Sequence, residues 1–238
     1  MKTSSRNKVR SFALPDGTID PQTYVVEQMI AAGHALYTRN WALGAAGSLS
    51  AIISQQPFEG LITADGANKG KLTAGDFLHF GESGNTPDLS GLSSKEIPIH
   101  QTIMVARSAG VILHTQSIWS TVLSELYANA GGITLEGFQI LKNLSGPKTK
   151  QRWEWVPILE NLDHSTTLAR MVSSSLQSHP EIHAVLIPKR GLYTWGTQID
   201  EAMRHVEVFE FLFEVLARQL HIISQIGHDQ LRTNQSYS

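Results

Sequence analysis

The stretch "GVILHTQSIW", residues 110–119, runs three apolar residues straight into His114, Thr115 and Gln116. The short apolar run behind Gly110 reads as a buried strand, and "SIWSTVLSELYANA" after it reads as a helix. Side chains alternate along a strand, so His114 and Gln116 are offered to one face and Thr115 to the other. One imidazole at such a strand end is half of a metal pair. Its neighbour on that face is an uncharged amide, a poor zinc ligand that brings no negative charge.

Outward from this strand, the pattern is of helices and short strands in irregular alternation. Residues 22–39 place Val25, Met29, Ala32 and Leu36 at helical spacing, and "NWALGAAGSLSAIIS" turns through small residues into an alternating apolar strand. "GLITADGANKGKLTAGDFLHF" reads as strand, Asp-Gly turn, glycine loop and strand. A helix is expected from about Lys95 to Ala109, with Ser93 or Ser94 as its cap and Pro98 tolerated in its first turn. "LEGFQILKNLS" is a short helical or turn segment. "WEWVPILEN", "TTLARMVSSSLQSHP" and "HAVLIPKRGLYTWG" follow as strand, helix and strand pair, before a last long helix that opens on carboxylates. The expected fold is a three-layer α/β/α arrangement around a mixed, largely antiparallel central sheet. One domain is expected over residues 21–227, between a basic polar tail at 1–20 and a polar tail at 228–238.

Nineteen Lys and Arg against 21 Asp and Glu leave a formal charge of −2, which gives no general attraction to nucleic acid or to an anionic membrane. The tryptophans at 119, 153, 155 and 195 lack surrounding basic density and read as packing or interface residues. The chain has no cysteine, so thiolate chemistry and sulfur-ligated metals are excluded, and any metal needs nitrogen and oxygen ligands. No run of 18 apolar residues occurs, and the basic start is not followed by a continuous apolar segment; the expectation is a cytoplasmic protein. "GANKGK" is too short for a phosphate loop and lacks its final hydroxyl.

The candidate chemical residues are few. Glu96 and His100 are four apart and share a helix face, so the carboxylate is either a pocket acid or base or a solvated first-turn charge. Lys69 offers a flexible point charge to an anion, opposed by Asp65 in the same loop; the alternative is an exposed turn. Gln139 and Lys142 share a surface at spacing three, but a glutamine positions a substrate without exchanging its proton. Arg190 pairs with a carboxylate or phosphate and cannot replace a neutral histidine as a ligand.

"AAGHALYTRNWALGAAGSLS", "LITADGANKG", "SSKEIPIH", "VILHTQSIWSTVLS", "GFQILKNLSG", "VPILEN" and "RGLYTWG" with "EAMRHVEVFEFLFE", in this order over roughly residues 22–220, resemble the class II aldolase and adducin-like superfamily, most closely its methylthioribulose-1-phosphate dehydratase branch. The resemblance implies tetramers with active sites close to subunit interfaces, and zinc-assisted loss of water from a phosphorylated ketose. It places zinc on a His-Thr-His strand end and a later histidine before Gly-Leu. Only His114 matches; Gln116 and Arg190 stand at the other two positions. Gln139 stands where the branch carries its proton-transferring glutamate. The phosphate turn Thr-Gly-Gly-Asn is matched by Ala45, Ala46, Gly47 and Ser48, and a phosphate-loop serine by Asp65. Lys69 and Glu96 are kept.

The sequence therefore leads to a divergent, metal-independent member of the branch with no cofactor, binding a small polar or anionic metabolite. Glu96 and His114 are its catalytic candidates, for lyase or isomerase chemistry. Ser48, Asp65, Lys69, Gln116, Gln139 and Arg190 are its substrate-binding candidates. Two alternatives stand beside it: an inactive homologue that assembles with an active paralogue or regulates it, and a zinc-dependent dehydratase with an unconventional site.

Overall fold

The computed structural model of the chain describes residues 20–83, 93–144 and 153–235. Helix α1 (Pro21–Thr38) begins where the Asp20 carboxylate accepts from the Thr23 amide at 3.0 Å, and it buries Val25, Met29, Ala32 and Leu36. Strands β1 (Ser48–Gln55) and β2 (Phe58–Thr63) form a hairpin, and two short 3-10 turns lead to β3 (Phe77–Gly81). Helix α2 (Ile97–Arg107) precedes β4 (Val111–Thr115), the strand of the opening stretch, and α3 (Ile118–Leu126) follows it. Then come β5 (Gly132–Glu136), a 3-10 turn at Gln139–Asn143, β6 (Trp153–Pro157), α4 (Ser165–Ser178), β7 (Ala184–Ile187), β8 (Gly191–Gly196) and α5 (Ile199–Gln235).

The main sheet has six strands in the order β3-β2-β1-β4-β8-β7, with antiparallel ladders, while β5 and β6 pair separately. Single parallel bridges join Ala42 to Gln116 and Ile158 to Leu186. The flanking helices complete the expected α/β architecture around a largely antiparallel sheet. Ile112 packs on one face with Ile97, Ile99, Ile103 and Met104 of α2 and with Leu168 and Val172 of α4. Val111 and Leu113 pack on the other with α1 and the start of α5. A third cluster joins α3, the two-stranded sheet and Val208, Phe209, Leu212 and Phe213 of α5.

All five residues of β4 are buried, because the strand has neighbours on both edges and helices on both faces. Its register sets His114 opposite Ser48 of β1 and Tyr193 of β8, so three polar side chains stand abreast on the α2 face.

Two boundaries differ from the sequence expectation. Helix α2 starts at Ile97 with Glu96 in the N-cap position, neither serine capping it, and the Glu96 side chain caps nothing. Helix α5 runs on to Gln235, past the Gly227 at which the sequence marks a polar tail. Residues 1–19 and 236–238 of the expected tails lie outside the described residues.

Two glycines let loops close on the end of β4. Gly47, at φ +77°, and Gly191, at φ +116°, lie so near the carbonyls of His114 and Thr115 that a Cβ would collide with backbone oxygen. Gly191→Ala therefore costs about 2–4 kcal/mol through combined strain and clash, measured by urea unfolding.

Candidate active site

The α2 face of the sheet puts Ser48, His114 and Tyr193 beneath the N-terminal end of α2, which delivers Glu96 and His100. His114 Nε2 lies 2.9 Å from the Arg190 carbonyl, which only accepts, so Nε2 carries the proton. Burial drives the pKa of His114 down and that of His100 to about 3, so both rings are neutral near pH 7. His114 Nδ1 is then an acceptor. The remaining donors follow in one direction: Ser50 hydroxyl to His100 Nδ1 (2.6 Å), His100 Nε2 to Ser48 Oγ (2.7 Å), Ser48 hydroxyl to His114 Nδ1 (3.3 Å), and His114 Nε2 to the Arg190 carbonyl.

Arg190 sits in the tight turn between β7 and β8, after Lys189 in the left-handed region and before Gly191. Its Nη2 donates to Glu96 Oε1 at 2.5 Å and its Nε to the Tyr193 hydroxyl at 2.9 Å. That hydroxyl donates to Glu96 Oε2 at 2.7 Å, and the Tyr193 ring stacks on His114 with centroids 4.0 Å apart. The side chains of Glu96 and Arg190 are only 13% and 22% exposed, so this is a largely desolvated pair rather than a surface contact. Burial alone raises the Glu96 pKa, but the Arg190 guanidinium and the Tyr193 hydrogen bond outweigh it and hold the carboxyl below its ordinary value. Burial lowers the Arg190 pKa less than Tyr193 and Glu96 raise it, and the guanidinium stays charged.

The other sequence candidates are placed differently. Lys69 lies in no exposed turn: it is buried, Nζ donating to the carbonyls of Ala67 (2.7 Å) and Ala45 (3.3 Å). Burial lowers its pKa to about 8 against the pull of Asp65, Asp76 and Glu96. Asp65 accepts from the Lys95 amide at 3.1 Å, which fixes the segment leading into Glu96. Gln116 donates from Nε2 to the Lys189 carbonyl at 3.1 Å. Gln139 lies on the 3-10 turn after β5, beside Phe138, Lys142 and Phe211, with no hydrogen bond to the Glu96 cluster among the described residues. Tyr193 and Ser50 were not among the candidates. The signal for Tyr193 is a phenol inside the apolar run "GLYTW", which needs a buried partner.

The residues present do not fit zinc. Both nitrogens of His114 are engaged, Gln116 is committed to a backbone carbonyl, and the Arg190 cation already binds Glu96. Among the described residues no group of three or more His, Cys, Asp or Glu is arranged to hold a metal ion. No described helix is long and apolar enough to cross a membrane.

On the other face of β4, Thr115 Oγ1 donates to Glu210 Oε1 of α5 at 3.4 Å, and Glu210 Oε2 has no hydrogen-bond partner among the described residues. Burial pushes the Glu210 pKa up to about 7, against hydrogen bonds from Ser117 and Thr115.

A six-stranded antiparallel sheet between helical layers is the fold shared with class II aldolase structures. Residues 27–217 match the Class II Aldolase and Adducin N-terminal domain, and the chain belongs to that family. It is 35% identical over 204 residues to the methylthioribulose-1-phosphate dehydratase of Pseudomonas fluorescens (strain Pf0-1), covering 85% of this chain and 97% of that one. With the enzyme of the same name from Pseudomonas syringae pv. syringae (strain B728a) it shares 37% identity over 188 residues, 79% of this chain and 91% of the other. The fold is that of L-fuculose-1-phosphate aldolase from Thermus thermophilus (TM-score 0.66, 21% identity, 85% and 96% of the chains). It is also that of a sugar-phosphate aldolase from Thermotoga maritima (TM-score 0.65, 18% identity, 85% and 97%).

Two stability measurements follow from these charges. Arg190→Met strands the Glu96 carboxylate and costs about 2–4 kcal/mol by urea unfolding; adding Glu96→Gln recovers part of that loss. A carboxyl whose folded pKa is about 7 against an ordinary 4.5 makes the protein lose stability as pH rises through that interval. Glu210→Gln abolishes this loss, so the variant gains on the wild type between pH 4.5 and pH 8 in unfolding titrations.

Proposed function

We propose that this chain is a divergent, metal-independent member of the methylthioribulose-1-phosphate dehydratase branch, binding a small metabolite that carries a polar or anionic group. The observation that carries the reading is the Arg190 guanidinium bound to Glu96 and Tyr193, at a position that the resemblance gives to a metal ligand. A fixed cation at that point supplies charge without a Lewis acid. Glu96 is the base of the site. Held below its ordinary pKa by Arg190 it is too weakly basic, so proton abstraction follows the sharing of Arg190 with an incoming ligand.

In this reading Arg190 takes up negative charge that develops on the ligand. Tyr193 returns a hydrogen bond to Glu96 Oε2, and the neutral His114 keeps ring and turn in place. Lys69, with a pKa of about 8, adds a second positive charge for an anionic substituent, while Ser48 and Gln116 complete the polar lining. Asp65 acts through the segment before Glu96. Gln139 enters only if the protein assembles, as the family resemblance implies, into tetramers that bring a neighbouring copy to the site. The reaction class is a lyase or an isomerase.

A second reading is favoured by one feature: both Glu96 oxygens already have internal partners, as in a site that has closed on itself. It makes the chain an inactive homologue that assembles with an active paralogue. Calorimetry and a metabolite screen on chelator-treated protein separate the two. Binding of anionic metabolites without metal, abolished in Arg190→Gln, supports the first reading. No binding, with co-purification of an intact homologue, supports the second. Turnover of methylthioribulose-1-phosphate that is lost to a chelator and restored by zinc overturns both.

A further inference from the structure

His114, near the end of β4, and Gln116, one residue past it, reach the same short turn. His114 Nε2 donates to the carbonyl of Arg190 at 2.9 Å and Gln116 Nε2 to the carbonyl of Lys189 at 3.1 Å. The two donors are two residues apart along the chain; the two acceptors are consecutive in the turn. This turn is conformationally demanding, with Lys189 at φ +61° and Gly191 at φ +116°, and its own closing bond is from the Arg190 amide to the Ile187 carbonyl at 3.0 Å. Gln116 is itself anchored, its amide donating to the Trp41 carbonyl at 2.7 Å. The strand end thus grips the backbone carbonyls on either side of the Arg190 Cα.

The grip determines where the guanidinium points. Nε goes to Tyr193 and Nη2 to Glu96, while Nη1 makes no hydrogen bond among the described residues and is not among the buried atoms lacking a partner. With the side chain 22% exposed, Nη1 is the edge that no described residue engages. A guanidinium with one edge fixed and the other free is a preorganised receptor for an oxyanion, the shared chemistry of a carboxylate and a phosphate. Glu96 neutralises Arg190 and Asp65 and Asp76 face Lys69, so an oxyanion is held by the free guanidinium edge and not by an excess of positive charge.

We propose that His114 and Gln116 are positioning residues: a clasp on the turn carbonyls that fixes Arg190 as a built-in oxyanion receptor, with Nη1 turned to a carboxylate or phosphate group of the ligand. The ligand chemistry rests on the metal-independent reading given above; the clasp does not.

The test pairs hydrogen exchange with calorimetry on chelator-treated protein, using sodium phosphate and sodium acetate as probes. Gln116→Glu keeps the shape and removes the donor. It speeds amide exchange at residues 189–192 and weakens oxyanion binding about tenfold, the equivalent of one good hydrogen bond, without a matching fall in melting temperature. Arg190→Gln abolishes binding of both probes. Phosphate bound in strong preference to acetate assigns the ligand group to a phosphate, and the reverse to a carboxylate. Exchange at 189–192 unchanged in Gln116→Glu overturns the clasp even if the wild type binds oxyanions. A wild type that binds neither probe overturns the receptor and the metabolite reading, while faster exchange in the variant still upholds the clasp. Tight zinc binding by the wild type that slows exchange at the turn overturns clasp and receptor together.

Discussion

A polar side chain on a strand buried on both faces has to find its hydrogen-bond partners inside the molecule, and His114 imposes that demand at the centre of this sheet. It is met by one directed series of hydrogen bonds from Ser50 through His100 and Ser48 to His114 and on to the Arg190 carbonyl. Because the last acceptor is a carbonyl, the tautomer of each ring is set by the one beyond it. Much around the site serves that closure: Gly47 and Gly191 allow backbone to approach β4, and α2 crosses where His100 can reach two strand serines.

The same closure settles the charge balance. Glu96 and Arg190 are brought out of water together, and the cost of burying either is offset by the other and by the Tyr193 hydroxyl that bonds both. Such a pair contributes little net stability over an apolar substitute, yet either half alone is strongly destabilising. The scaffold does not depend on it: the three hydrophobic clusters that hold the layers together are apolar. That separation explains how a chain 35% identical to a methylthioribulose-1-phosphate dehydratase keeps the family fold with glutamine and arginine at positions that the resemblance gives to metal ligands.

Much of the layout was legible in the chain. The "VILH" run marked the central strand, the two-residue period put His114 and Gln116 on one face, and the four-residue spacing of Glu96 and His100 put both over the same site. Local pattern misled where a side chain had two uses. Ser93 and Ser94 looked like caps, but Glu96 holds the N-cap position while its carboxylate turns inward to Arg190. Lys69 sits in a glycine-rich loop that reads as exposed, yet it is buried by α1 and the 3-10 turns packed around it. Tyr193 lies in the apolar run "GLYTW", and only the β4–β8 register sets it beside His114.

Helices and strands were determined by the sequence itself, because periodicity and residue chemistry are local and survive without neighbours, while Glu96, His114 and Arg190 became site candidates through the family resemblance. Which atoms met was decided by tertiary structure. Glu96 and Arg190 are 94 residues apart, and His114 reaches Ser48 across 66. Contacts at such separation depend on strand register and on the direction from which a helix crosses the sheet, and neither is written in any single stretch of the chain.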